Sequence, residues 1–272
     1  MKCYLGSPHT FTRRVAVEDV FNSKFQGIPY VLESFFYVRS WMFPFIDNKS
    51  WNFMLDSGAF TFMSNSKNKY LFKESNTKSS KSETVDWNSY VARYADFILE
   101  HDIHDFFELD IDSVVGLSKV EDLRKSLEHR TARQCIPVWH KSRGLDNWNS
   151  LVKDYPCVAV GGIVIGEIRR SQFKYLLKLC DLAHDHACKI HGLGVSHEQL
   201  GTNRYRFDST DTSVWSVGHR FAYVYKFTGK RLIKFSKPEG QLMDAEKVIA
   251  HNFLEWMKFQ RYLLHAGWSM KP

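Results

Sequence analysis

No stretch of this 272-residue chain stays apolar for long. The longest run of apolar residues and glycine, Val158 to Gly166, falls far short of the roughly 20 residues a membrane helix needs. The first residues, Met1-Lys2-Cys3-Tyr4-Leu5-Gly6, lack the extended apolar core of a secretory signal. Cysteine is sparse as well. Cys3, Cys135, Cys157, Cys180 and Cys188 are scattered, which speaks against a disulfide scaffold and suits a reducing cytoplasm. Acidic residues are outnumbered, with 30 Asp and Glu against 37 Lys and Arg, and the surplus of +7 favours a polyanionic partner. An apolar content of 44% excludes a wholly disordered chain.

What is present is an alternation. Short apolar runs rich in β-branched and aromatic residues lie at Cys3–Leu5, Val31–Tyr37, Asn52–Leu55, Phe106–Ile111, Ile136–Trp139, Val158–Val164, Lys189–Val195 and Tyr205–Phe207. Continuous apolar character of this kind belongs to strands covered on both faces. Between several of them lie segments with helical spacing, notably Trp87–Glu100 and Gln172–Ala187, with Asp86 and Asp146 as candidate helix caps. Eight strands separated by crossover-length segments predict an α/β fold, a (β/α)₈ TIM-like barrel, in one domain over residues 1–272. A doubly wound open sheet is the structural alternative.

Two segments depart from the alternation. Residues 64–83 hold six Ser, five Lys and two acids, a basic insertion after the third strand with Lys67, Lys69 and Lys73 as candidate phosphate contacts. Phe221–Lys237 reads as a hairpin about Thr228-Gly229. It carries Lys226, Lys230, Arg231, Lys234 and Lys237 without an acid, and Lys230, Arg231 and Lys234 join the candidate nucleic-acid contacts. A closing amphipathic helix follows at Asp244–Leu264, so residues 221–265 form a terminal hairpin and helix.

Reactive groups in such folds gather at the carboxyl ends of the strands. The third strand ends in Asp56-Ser57-Gly58-Ala59-Phe60, the fourth in Glu108-Leu109-Asp110-Ile111-Asp112, and the fifth in His140. The sixth ends in Gly161-Gly162, the seventh in His191-Gly192-Leu193-Gly194, and the eighth in Phe207-Asp208. Period two on the fourth strand sends Phe107, Leu109 and Ile111 toward the helices, and Glu108, Asp110 and Asp112 into the barrel. Glu108 is expected in an ion pair, with Asp110 and Asp112 nearer a ligand. Asp56 and Asp208, at two strand ends, are placed to flank one reacting carbon, one as nucleophile and the other handling the proton. The crowding of Cys180, His184, His186, Cys188 and His191 lacks any Cys-x-x-Cys pair, so no metal is expected. The glycines follow no phosphate-binding pattern, and no cofactor is expected.

These strand ends, in order, resemble the tRNA-guanine transglycosylases. Asp56-Ser57-Gly58-Ala59-Phe60 is similar to that family's Asp-Ser-Gly-Gly-aromatic motif. The acidic fourth strand, Val160-Gly161-Gly162, His191-Gly192-Leu193-Gly194 and Phe207-Asp208 follow, so the likeness spans Cys3 to Thr210. The resemblance implies exchange of guanine for a 7-deazaguanine within an intact polynucleotide. It makes Asp208 the nucleophile and Asp56 the general acid/base, with Phe60 stacking on one base face and His191 facing the other. Ser57 joins the substrate contacts. Asp110 or Asp112 would read the guanine-like edge, with the Gly161 and Gly162 backbone opposite; His140 stands where the family usually has Gln. That family carries zinc-binding cysteines after the nucleophile, whereas no Cys follows Cys188 here. The shorter chain looks more like the compact, phage-type DNA transglycosylases. That likeness implies DNA rather than tRNA as partner, a free base such as 7-cyano-7-deazaguanine as co-substrate, and the cytoplasm of an infected bacterial host as the site of action. A nucleoside or glycoside hydrolase and a non-catalytic nucleic-acid-binding barrel are the alternatives.

Overall fold

The computed structural model describes residues 1–11, 27–58, 85–169, 172–195 and 206–265. The basic segment 64–83, with Lys67, Lys69 and Lys73, lies outside the described residues, as does Phe60.

Eight parallel strands form one curled sheet: β1 (Lys2–Gly6), β2 (Tyr30–Ser34), β3 (Asn52–Asp56), β4 (Asp105–Phe106), β5 (Val138–Trp139), β6 (Cys157–Val160), β7 (Lys189–Gly192) and β8 (Ser209–Thr212). Their spatial order is β4-β3-β2-β1-β8-β7-β6-β5. The two edges, β4 and β5, meet through a parallel bridge between Phe107 and Ile136, with the Glu108 N–H donating to the Ile136 carbonyl at 3.0 Å. The architecture is α/β and TIM-like, as the alternation of runs predicts. Five helices follow the strands on the outside: α1 (Phe43–Asp47), α2 (Trp87–Glu100), α3 (Asp112–Val115), α4 (Leu117–Thr131) and α5 (Gly144–Asp154); α6 (Phe173–Asp185) continues the series. Among the described residues no helix is long and apolar enough to cross a membrane.

Alternation along the strands divides the core in two. Tyr4, Leu32, Met54, Phe107, Ile136, Val138 and Ala159 fill the interior of the curl. Leu5, Val31, Leu55, Phe106, Val158 and Ile190 face outward and pack with the helices. Helix α2 shows how sequence spacing becomes packing. Asp86 caps it, its carboxylate accepting from the Asn88 and Ser89 N–H groups, and Tyr90, Val91, Tyr94, Ala95 and Ile98 form the buried face. Leu99, which shares the apolar run, is 46% exposed. Asp146 lies in the first turn of α5 rather than capping it, because Gly144 already opens that helix.

Three strand expectations need correction. The sixth strand stops at Val160, where Gly161 and the left-handed Gly162 (φ +78°) turn the chain away. On the fourth, Phe107 points into the barrel and Glu108 points out toward α4, the reverse of the expected alternation. Of the expected eighth strand Tyr205–Phe207, Tyr205 lies outside the described residues, and Arg206 and Phe207 belong to no strand. The residues paired in register with β1 are Ser209–Thr212, Lys2 opposite Ser209 and Tyr4 opposite Asp211.

Beyond β8 the chain forms an antiparallel pair, β9 (Tyr223–Phe227) and β10 (Leu232–Ser236), then α7 (Ala245–His265). Helix α7 runs antiparallel to β1. Phe253 packs on Phe11 and Trp215 near the carboxyl end of β1. Further along, the Gln260 amide donates to the Cys3 carbonyl, and the Leu263 carbonyl accepts from the Met1 amino group.

Candidate functional site

The carboxyl ends of the strands form a mouth lined with acidic groups. Asp56 closes β3, in register with Ser34 of β2 and on the same face as the interior residue Met54. Two tyrosines of α2 brace this strand end from outside. The Tyr94 hydroxyl donates to the Leu55 or Phe107 carbonyl, each 3.1 Å away, and that of Tyr90 donates to the Ser57 carbonyl at 2.6 Å. The Asp56 carboxylate accepts from the Gly58 N–H at 3.0 Å. Burial pushes the Asp56 carboxyl up to about 7 against that hydrogen bond, and the negative charges of Asp211, Asp110 and Glu33 add to the rise. A carboxyl raised toward neutrality is suited to give and take a proton. Ser57 is enclosed, and its hydroxyl has no hydrogen-bond partner among the described residues.

Asp208 does not share this mouth. It precedes β8, at the amino-terminal end of the strands. There its carbonyl accepts from the Lys2 N–H and its carboxylate accepts from the Ile190 N–H at 2.8 Å, while His184 Nε2 lies 2.9 Å from the same oxygen. Asp208 therefore ties β8 to β1, β7 and α6, and the expected pairing with Asp56 is overturned. The register that moves β8 to Ser209–Thr212 brings a different carboxylate into the mouth. Asp211 lies opposite Tyr4, an interior residue, so it faces inward above the filled core. Its Oδ1 accepts from the Gly194 N–H at 2.9 Å, and His191 Nε2 lies 3.3 Å from that oxygen.

The other side of the mouth is bound up in ion pairs. Arg143, in the loop after β5 and almost wholly enclosed, reaches Glu108 at 2.8 Å, Asp112 at 2.8 Å and Asp110 at 3.2 Å with three different nitrogens. Arg124 of α4 takes the second Glu108 oxygen at 3.0 Å. Burial pushes Glu108 up and the two guanidiniums hold it down, as the expected ion pair requires. His140 lies between two carboxylates, Nε2 at 2.8 Å from Asp110 and Nδ1 at 3.0 Å from Glu167. Burial opposes its charge, but the hydrogen bonds to Asp110 and Glu167 overcome that and raise His140 to about 9. Asp110 and Asp112 are thus already held in ion pairs.

Gly161 and Gly162 carry the wall beside His140. A Cβ on Gly161 would sit 2.6 Å from the His140 ring, and one on Gly162 would meet Glu167 at 2.6 Å, so no larger residue fits without moving that pair. The structure brings Asp56, Asp110, Asp112, His140, Gly161 and Gly162 to one mouth. It leaves Asp208 at the far end and seals His191 completely beneath Asp211. The exposed Lys230, Arg231 and Lys234 lie on the terminal hairpin. From Tyr225, bonded to Asn252, to Phe227, bonded to Glu255, that hairpin follows α7 away from the mouth. The turn with Lys230 and Arg231 therefore lies toward the amino-terminal end, and the Lys234 ammonium rests 3.9 Å from the Tyr223 ring centre.

Sequence reasoning missed Asp211, Arg143 and Glu167. A signal existed for Arg143, since three carboxylates at one strand end need a buried cation and Arg143 lies in the next βα loop. Asp211 sits in a Ser-Thr-Asp-Thr stretch that reads as a turn, although its threonines favour a strand. Among the described residues no group of three or more His, Cys, Asp or Glu side chains is placed to hold a metal ion. Neither the protein-family models nor the curated proteins compared with the chain match it.

Proposed function

We propose that the chain is a base-exchanging glycosyltransferase that replaces guanine in DNA with a 7-deazaguanine, with Asp211 as nucleophile and Asp56 as general acid/base. The observation that carries this reading is electrostatic. Asp56 on β3 and Asp211 on β8 both face inward at the carboxyl ends of the strands, and the charge of Asp211 adds to the rise that favours a proton on Asp56. In glycosyl transfer one acidic group must be ionised to attack and the other must carry a proton, and unlike environments separate the two roles.

In the proposed reaction Asp211 Oδ2 attacks the anomeric carbon as the bond to guanine breaks, and the bonding pair leaves with the base. Asp56 gives its proton to the departing guanine. The incoming deazaguanine then loses a proton to Asp56 while its nitrogen displaces the Asp211 carboxylate, so the configuration at carbon is retained. Asp110, oriented by Arg143 and His140, offers the remaining lone pairs of its two oxygens to the two donors of a guanine-type edge. The glycine wall lets a flat ring approach the backbone opposite.

DNA is the polymer we propose, on the resemblance to compact transglycosylases; a surplus of +7 suits either nucleic acid. The test is mass spectrometry of nucleosides after incubating the protein with DNA or tRNA and candidate 7-deazaguanines. Deazaguanine appearing in DNA supports the reading. Its appearance in tRNA alone changes the polymer, free guanine without incorporation changes the reaction to hydrolysis, and unaltered polymers with bound protein favour a binding role.

A further inference from the structure

His191 is fully enclosed, with its ring set edge-on against Tyr4 at 6.0 Å and Phe107 at 5.2 Å between centres. A buried imidazole needs both nitrogens satisfied, and both are. Nδ1 lies 2.9 Å from the Ser209 hydroxyl and Nε2 lies 3.3 Å from Asp211 Oδ1. Ser209 and Asp211 are two apart on β8, so they share a face and take the ring from two sides. An imidazole enclosed in this way does not lie flat on a base, as the family resemblance implies for this position.

We propose that His191 is a positioning residue for Asp211, with its proton on Nε2 and Ser209 donating to Nδ1; the proposal rests on the functional reading above. Facing a carboxylate, Nε2 must carry hydrogen to bond, which leaves Nδ1 of the neutral ring as acceptor for the serine hydroxyl. The consequence is asymmetry at Asp211. Gly194 N–H and His191 Nε2 both reach Oδ1, which fixes the plane of the carboxylate and leaves Oδ2 to meet the sugar. The same two donors stabilise the charge that returns to Asp211 when the covalent bond breaks, so they favour its departure in the second half of the exchange.

The test combines two variants with a spectroscopic measurement. His191→Phe keeps ring volume without a donor, and is expected to lower kcat about 10- to 100-fold with KM within about threefold. The trapped adduct is expected to persist longer, because departure of Asp211 slows more than attack. His191→Gln, which retains an amide donor, is expected to recover most of kcat. A folded His191→Phe enzyme with unchanged kcat, or with a loss confined to KM, overturns the proposal. Should His191→Phe fail to fold, ¹⁵N-histidine NMR of the wild-type protein decides. Protonated Nε2, unprotonated Nδ1 and a shift of both in Asp211→Ala support the proposal, whereas unprotonated Nε2 or unmoved resonances overturn it. If the wild-type protein exchanges no base while those shifts appear, the functional reading fails and the hydrogen-bonded chain stands.

Discussion

Two groups of carboxylates near the carboxyl ends of the strands are treated oppositely. On the β4 side Glu108, Asp110 and Asp112 are held by Arg143, with Arg124 and His140 completing the neutralisation. On the β3 and β8 side, Asp56 and Asp211 both face inward, and other carboxylates rather than cations add to the rise of Asp56. The first arrangement is how a fold retains buried acids, because ion pairing offsets part of the desolvation cost. The second leaves that cost standing as a raised pKa, a feature that clusters where protons are moved. In the reaction proposed above, the raised acid moves the proton and the ion-paired side holds the wall that meets the base.

The sharpest way to break that contrast is to remove a carboxylate from each end of β8. Asp211→Ala is expected to lower base exchange by about 10⁴-fold or more and to abolish the covalent adduct. Asp208→Ala, which loses a tie to Ile190 and His184, is expected to cost about 1–2 kcal/mol of stability and leave exchange within a few-fold. Steady-state exchange and denaturant melts of both variants measure the difference.

Asp56→Asn comes next, with an expected loss of about 10²- to 10⁴-fold in exchange rate. It is also expected to remove the rate-profile limb near pH 7. The stability effect has a definite sign. A carboxyl raised to about 7 in the fold, from about 3.9 when unfolded, contributes stability below pH 4 that is lost as pH rises through 7. Wild-type Tm should therefore fall relative to Asp56→Asn between pH 4 and 8, and parallel curves would contradict the buried acid.

On the ion-paired side, Arg143→Leu takes a cation from three carboxylates, leaving Glu108 to Arg124 and Asp110 to His140, and is expected to cost about 3–5 kcal/mol, read from chemical denaturation. A smaller effect follows from His140. Its charge is favoured by Asp110 and Glu167, so its stabilisation is full below its unfolded pKa of about 6.5 and is lost as pH rises through about 9. His140→Gln should remove that alkaline loss from the melting profile. The smallest effect is expected from Lys230→Ala with Arg231→Ala, which lie toward the other end; nucleic-acid affinity at moderate salt should change by less than about threefold.

Much of the frame was legible because strands covered on both faces announce themselves as short apolar runs. Asn52–Leu55 needed little correction, Lys189–Val195 is a strand as far as Gly192, and the helical spacing of Trp87–Glu100 is the observed α2. Asp56 was legible for the same reason, as the first polar residue after such a run. The eighth strand was not. Ser209–Thr212 is polar because its side chains are occupied within the sheet: Thr210 donates to the Gly192 carbonyl, and Ser209 and Asp211 hold His191. Local hydrophobicity pointed instead to Tyr205–Phe207, which set Asp208 rather than Asp211 at the carboxyl end of the strands. Alternation failed at Phe107 and Glu108, just past the regular strand's end at Phe106, where Glu108 turns outward to meet Arg124, while Leu109 and Ile111 pack outward as expected.

Which aspartate bonds to sugar decides between the two ends of β8. Wild-type protein trapped on guanine-containing DNA, digested and sequenced by mass spectrometry, should carry the sugar mass on Asp211. The same mass on Asp208, at the opposite end of the strands, would contradict the pairing with Asp56 on which the mechanism is built.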